Sequence, residues 1–128
     1  MILGIGVDTV DIARFERTLA RTPRLRERLF TEAERYLPVH SVAARFAAKE
    51  ALIKALGGSD GLNWHDMEIV RDTDRPPAFV RTDRLLAALA LAGAAMPHVS
   101  MTHDGGFATA FVVVEARAPE AEAAEGVR

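Results

Sequence analysis

Four groups of residues have types and spacings suited to chemistry. Asp8 follows the apolar run Ile2 to Val7 and precedes a helix start, so rigid backbone would hold its carboxylate while leaving it open to solvent, as a hard-cation ligand requires. A helix cap or turn acid is the commoner reason for such a residue, and one acid does not make a site. Lys49, Glu50 and Lys54 share an otherwise apolar helical stretch, with Glu50 and Lys54 four apart in the order that favours an exposed ion pair worth roughly a few tenths of a kcal/mol. Fourteen of the sixteen basic residues are arginine, however, and the only two lysines flank this one glutamate. Generic surface pairing should have drawn arginine. Lysine is a compact, mobile point charge able to follow a phosphate through a reaction, whereas arginine's planar fork is more directional.

The other two groups say less by themselves. His103 and Asp104 sit between two strand-like runs, preceded by Ser100 and Thr102, and a histidine in a tight turn is usually just solvated. Arg14, Arg17, Arg21 and Arg24 are spaced three, four and three apart, making one basic stripe if a helix runs on past Pro23. Charge rows are commonly solvated faces, but few acids oppose this one, and it would suit an acidic helical partner.

These residues need elements to position them. The run 2–7, with Gly4 and Gly6 interspersed, predicts a strand whose backbone something approaches closely and which Asp8 ends. Asp11 can cap a helix carrying Ile12, Phe15 and Leu19 at helical spacing. Thr31 and Glu34 form a capping-box signature for a short helix stopped by Pro38. Ser41 can cap the next helix, which runs to Leu56 and stops at Gly57 and Gly58. A polar loop over 58–66 precedes a hairpin of MEIVR and AFVR. Residues 83–95 predict a helix covered on most sides. HVSMTH and FATAFVVVEA predict a central strand pair joined at Asp104-Gly105. The last strand and the 83–95 helix carry more apolar surface than a small open domain hides, which points to subunit association.

At 128 residues, with ordinary apolar and charged fractions, the chain suits one globular domain. We assign it to residues 1–116, followed by a disordered tail over 117–128 rich in Ala and Glu. Without cysteine there are no disulfides, thiolate metal sites or cysteine nucleophile, which fits a cytoplasmic location. MILGIGVD lacks a basic leader, and the longest apolar run, Leu85 to Met96, is too short for a bilayer, so no membrane role is expected. A net charge of −2 gives no global pull toward nucleic acid.

GIGVD at 4–8 with Arg14 downstream, FTEAE at 30–34, RFAAKEALIKALGG at 45–58 and VSMTHDGGFATAFVV at 99–113 together resemble the holo-acyl-carrier-protein synthase group of 4′-phosphopantetheinyl transferases. The resemblance implies an α+β domain, mainly antiparallel sheet packed with helices, assembling as a homotrimer with active sites at subunit boundaries. It implies transfer of 4′-phosphopantetheine from coenzyme A to a serine of apo-acyl carrier protein, in support of fatty acid biosynthesis. Asp8 and Glu50 are then expected to bind Mg²⁺, Lys54 to contact phosphate, Glu50 to be the first candidate for accepting the serine proton, and Lys49 and His103 to contact the nucleotide part. Arg14, Arg17 and Arg21 are expected to grip the acidic carrier. Asp60 departs from the uncharged residue expected in the loop after the catalytic helix.

Two other readings compete. An actin-like phosphate strand would need glycine and hydroxyl residues just after Asp8 and a far longer chain. A non-enzymatic oligomeric module binding an acidic partner through the helix-1 arginines leaves Asp8, Glu50 and the lysine pair unexplained.

Overall fold

The computed structural model describes residues 1–59 and 61–119, so Asp60 and most of the expected tail lie outside the described residues. Its centre is an antiparallel three-stranded sheet of order β1-β5-β4, formed by Ile2–Asp11 (β1), His98–Asp104 (β4) and Phe107–Glu115 (β5). The helix Val39–Leu56 (α4) lies across one face of this sheet, against all three strands. Around it are Ile12–Arg21 (α1), Leu25–Leu29 (α2), Glu32–Arg35 (α3), Asp83–Ala92 (α5) and a two-residue hairpin of Ile69–Val70 (β2) with Ala78–Phe79 (β3).

The glycines of β1 explain how strand and helix meet. A Cβ on Gly4 would lie 1.8 Å from the Ala55 carbonyl oxygen, and one on Gly6 the same distance from that of Ala51. Strand backbone therefore rests directly on helix backbone. Two strand residues advance about 6.6 Å and one helical turn about 5.4 Å, so Gly4 over Ala55 and Gly6 over Ala51 carry Asp8 to the part of α4 that holds Glu50. Alanines at 43, 44, 47, 48, 51 and 55 are buried and keep the rest of that contact close. On the far side, Phe46 stacks on Phe15 at 5.1 Å and meets Trp64 at 5.6 Å, so α4 is apolar nearly all round because it is covered nearly all round.

Several boundaries differ from expectation. β1 does not end at Asp8 but pairs with β5 through Asp11, whose side chain caps α1 by accepting from the Arg14 N–H at 3.0 Å. α1 stops at Arg21, leaving Arg24 off the stripe. Ser41 is not the cap of α4; the helix starts after Pro38, and Ser41 already donates its N–H to the Pro38 carbonyl. Gly57 closes that helix at φ 80°, where an L side chain would be strained. α5 buries only one face, with Leu91 89% exposed. β5 is central as expected, but β4 is an edge strand among the described residues.

β5 alternates more sharply than its composition suggested. Ala108, Ala110, Val112 and Val114 are buried under α4, while Phe107 and Phe111 point the other way with Ile5 and Val7 of β1. Ile5, Val7 and Phe111 are 54%, 49% and 44% exposed, forming an apolar sheet face that nothing among the described residues covers. No helix among the described residues is long and apolar enough to cross a membrane.

Candidate active site

Where β1 passes over α4, Asp8 and Glu50 come to line one open cleft of about 830 Å³. Phe15, Leu25, Leu29, Phe46 and Trp64 form its apolar wall, and Arg14 and Arg28 stand at its rim. Lys54, one turn beyond Glu50, donates to Asp8 Oδ1 at 3.0 Å and to the Val7 carbonyl at 3.0 Å. Strand, helix and their close approach thus bring together three residues singled out from sequence, and Arg14 with them.

Burial raises the Glu50 pKa above the ordinary carboxylate range, the neighbouring Asp8 raises it further, and Lys54 pulls it down. The folded protein therefore holds this proton more tightly than the unfolded chain. Its contribution to stability is full below the ordinary glutamate pKa and is lost as pH rises through the raised value. In an NMR titration of nucleotide-free protein, the Glu50 carboxyl should titrate above an exposed glutamate, and Asp8→Asn should lower its midpoint. An unmoved midpoint would mean that the two acids do not sense each other.

No group of three or more His, Cys, Asp or Glu side chains suited to a metal ion occurs among the described residues. Three carboxylates line the cleft, Asp8, Asp11 and Glu50, and Asp11 is engaged as the cap of α1, which leaves Asp8 and Glu50 as the donor set. That fits Mg²⁺, which keeps several waters and is commonly held by one or two carboxylates together with substrate phosphates.

Lys49 corrects an expectation. It is 0% exposed and forms an ion pair of 2.7 Å with Glu34, itself 1% exposed. Its ammonium also donates to the Leu29 carbonyl at 2.8 Å and the Trp64 carbonyl at 3.1 Å. All three N–H donors are used, leaving none to contact a nucleotide. Burial lowers the Lys49 pKa, and the Glu34 carboxylate opposes that shift. Glu34 in turn accepts from the Thr31 and Ile69 N–H groups, so the pair ties α2, α3, α4 and the segment entering β2. The capping box at Thr31 and Glu34 is present, but its glutamate also has this second, long-range task.

His103 lies elsewhere, in a smaller pocket with His40, Ser41, Arg45, Arg71 and Thr102. The His40 and His103 rings are 4.7 Å apart. Arg45 is 8% exposed and donates to the Ile69 and Ser41 carbonyls. Burial lowers its pKa, with Glu34 opposing the shift and Arg71 adding to it. Arginine still stays charged, so this is a basic cluster, with Glu34 the one acid that Arg45 senses. Sequence reasoning missed Arg45, Arg71 and His40. The helical spacing of Ser41 and Arg45 was available, but the approach of Arg71 from the hairpin is non-local. Arg17 and Arg21 are exposed on α1 and do not line the large cleft, and Arg26 is taken up by the Arg35 carbonyl at 2.7 Å.

The family model of the 4′-phosphopantetheinyl transferase superfamily matches residues 4–112. A holo-acyl-carrier-protein synthase of Leifsonia xyli subsp. xyli is 69% identical over 115 residues, covering 90% of this chain and 98% of that protein. One of Clavibacter michiganensis subsp. michiganensis is 60% identical over 120 residues, covering 93% and 100%. Among solved structures, the synthase of Neisseria meningitidis is similar at TM-score 0.80 and 32% identity, covering 90% of this chain and 99% of that one. The Helicobacter pylori synthase, solved in complex with coenzyme A, is similar at TM-score 0.75 and 32% identity, covering 87% and 99%.

Proposed function

Since the chain belongs to the holo-acyl-carrier-protein synthases of the 4′-phosphopantetheinyl transferase superfamily, we propose that it moves the 4′-phosphopantetheine arm of coenzyme A onto a serine of apo-acyl carrier protein, with Mg²⁺, in support of fatty acid biosynthesis. The observation that carries this reading is the convergence of Asp8 and Glu50 at one cleft, with Lys54 bonded to Asp8. The serine oxygen attacks the β-phosphorus, the bond from that phosphorus to the bridging oxygen breaks, and 3′,5′-ADP leaves. Asp8 and Glu50 would hold the cation, which when bound neutralises the diphosphate and polarises the leaving group. Lys54 contacts a phosphate oxygen, and Glu50 is the candidate acceptor of the serine proton. Catalysis is then chiefly positioning and charge stabilisation.

Arg14, Arg17 and Arg21 present exposed positive charge along α1, with Arg14 at the mouth of the cleft. An acidic carrier docked there would bring its serine toward Glu50. Such rim charges act mainly on association rate and salt dependence.

The cluster of His103, His40, Arg45 and Arg71 suits the 3′-phosphate, in place of the Lys49 contact. Within one chain Ser41 and Glu50 are roughly 14 Å apart along α4 at 1.5 Å per residue. Association through the uncovered sheet face would let one chain's cluster complete a neighbour's cleft, and a homotrimer with sites at its boundaries is the assembly we propose. A cytoplasmic location accords with the cysteine-free sequence.

The deciding experiment weighs apo-acyl carrier protein by mass spectrometry after incubation with this protein, coenzyme A and Mg²⁺, with and without chelator. A mass gain of one phosphopantetheine, lost with chelator, is expected. An unchanged carrier would leave the non-enzymatic module, and a gain that survives chelation would remove the metal.

A further inference from the structure

The Lys54 ammonium is held against one of the two carboxylates assigned to the cation. It is bonded to Asp8 Oδ1 and to the Val7 carbonyl, both at 3.0 Å, and Glu50 lies one turn earlier on its own helix. Two carboxylates that must face one cleft repel each other when no cation lies between them. A positive group beside them relieves that repulsion. The Lys54 side chain is 54% exposed and that of Asp8 20%, so the pair is open on one side and its members can separate without unfolding anything around them. Lysine suits such an exchange, being a flexible stem with a single mobile charge.

We propose that Lys54 is a place-holding counter-ion, pairing with Asp8 while the site is empty and moving from that carboxylate to the coenzyme A diphosphate when a divalent cation and the nucleotide arrive. This rests on the metal reading of Asp8 and Glu50 given above. It adds that, before the nucleotide binds, Lys54 competes with the cation. Afterwards it cooperates, because the diphosphate now needs its charge. Thermodynamic linkage makes the exchange reciprocal: coenzyme A must strengthen cation binding more in the wild type than in a chain lacking the ammonium.

Mn²⁺ titration followed by electron paramagnetic resonance tests this without measuring turnover. In nucleotide-free protein, Lys54→Met should bind Mn²⁺ about fivefold to tenfold more tightly than the wild type, the scale of one unit charge near a partly solvated carboxylate. Lys54→Arg, which keeps the charge, should stay close to the wild type. With coenzyme A present the order should reverse. Lys54→Gln serves as a second neutral variant, and circular dichroism verifies that each variant is folded. Equal or weaker Mn²⁺ binding by both neutral variants in nucleotide-free protein would overturn the place-holder role while leaving the metal site standing. Absence of Mn²⁺ binding in wild type and variants alike, with and without coenzyme A, would remove the metal reading and this proposal with it.

Discussion

Replacing Asp8 by alanine, or Glu50 in a separate variant, is expected to lower phosphopantetheine transfer by at least about a thousandfold, a loss of roughly 4 kcal/mol in transition-state stabilisation, while the protein stays folded. Each change removes one of the two cleft carboxylates that are not engaged in capping a helix, and a cation held by a single acid would not be fixed against the diphosphate. The fold should not object. Glu50 is pushed toward its protonated form by burial and by Asp8, so the two acids oppose each other. The ion pair that Asp8 loses is largely exposed at its lysine end, and such pairs contribute little. Melting temperatures of both variants should thus lie near or above that of the wild type, with transfer measured by carrier mass. Near-normal transfer in either variant would overturn the metal assignment. Lost transfer with an equally large drop in melting temperature would make the residue structural.

That separation between site and scaffold also shows what the sequence could and could not disclose. Helix positions were legible because their signals are local. Asp11 caps α1, Thr31 and Glu34 box α3, and Gly57 stops α4, each within a turn of the backbone it serves. Spacing made the two carboxylates legible one at a time, and only the family resemblance paired them, since their meeting depends on Gly4 and Gly6 lying on α4. Spacing suggested only that something approached β1 closely. The exposed sheet face was foreseen as surplus apolar surface. Its position was not, because a strand apolar on both sides does not disclose which side a helix covers. His103 was singled out as a turn residue but lies in β4, which runs through Asp104 to a turn at Gly105 and Gly106, and its partners Arg45 and Arg71 come from a helix and a hairpin that sequence distance does not connect.

Lys49 is the sharper case, and it leads to the second large effect. The scarcity of lysine argued that both lysines work on phosphate, and for Lys49 the structure gives a different reason for lysine: a compact ammonium reaches three acceptors in a space closed on every side. Lys49→Met is therefore expected to cost about 3–5 kcal/mol of stability, because it leaves the Glu34 charge buried without its cation and two carbonyls without a donor. For a domain of this size that is a fall of about 10 °C or more in melting temperature. Adding Glu34→Gln should recover much of the loss, since the amide keeps an acceptor for a backbone N–H and removes the stranded charge. A contact to the nucleotide would behave in the opposite way, raising the KM for coenzyme A at unchanged stability and gaining nothing from the second substitution. Thermal unfolding of the single and double variants, set beside their KM for coenzyme A, distinguishes the two. A Lys49→Met protein that melts with the wild type would return this lysine to the substrate.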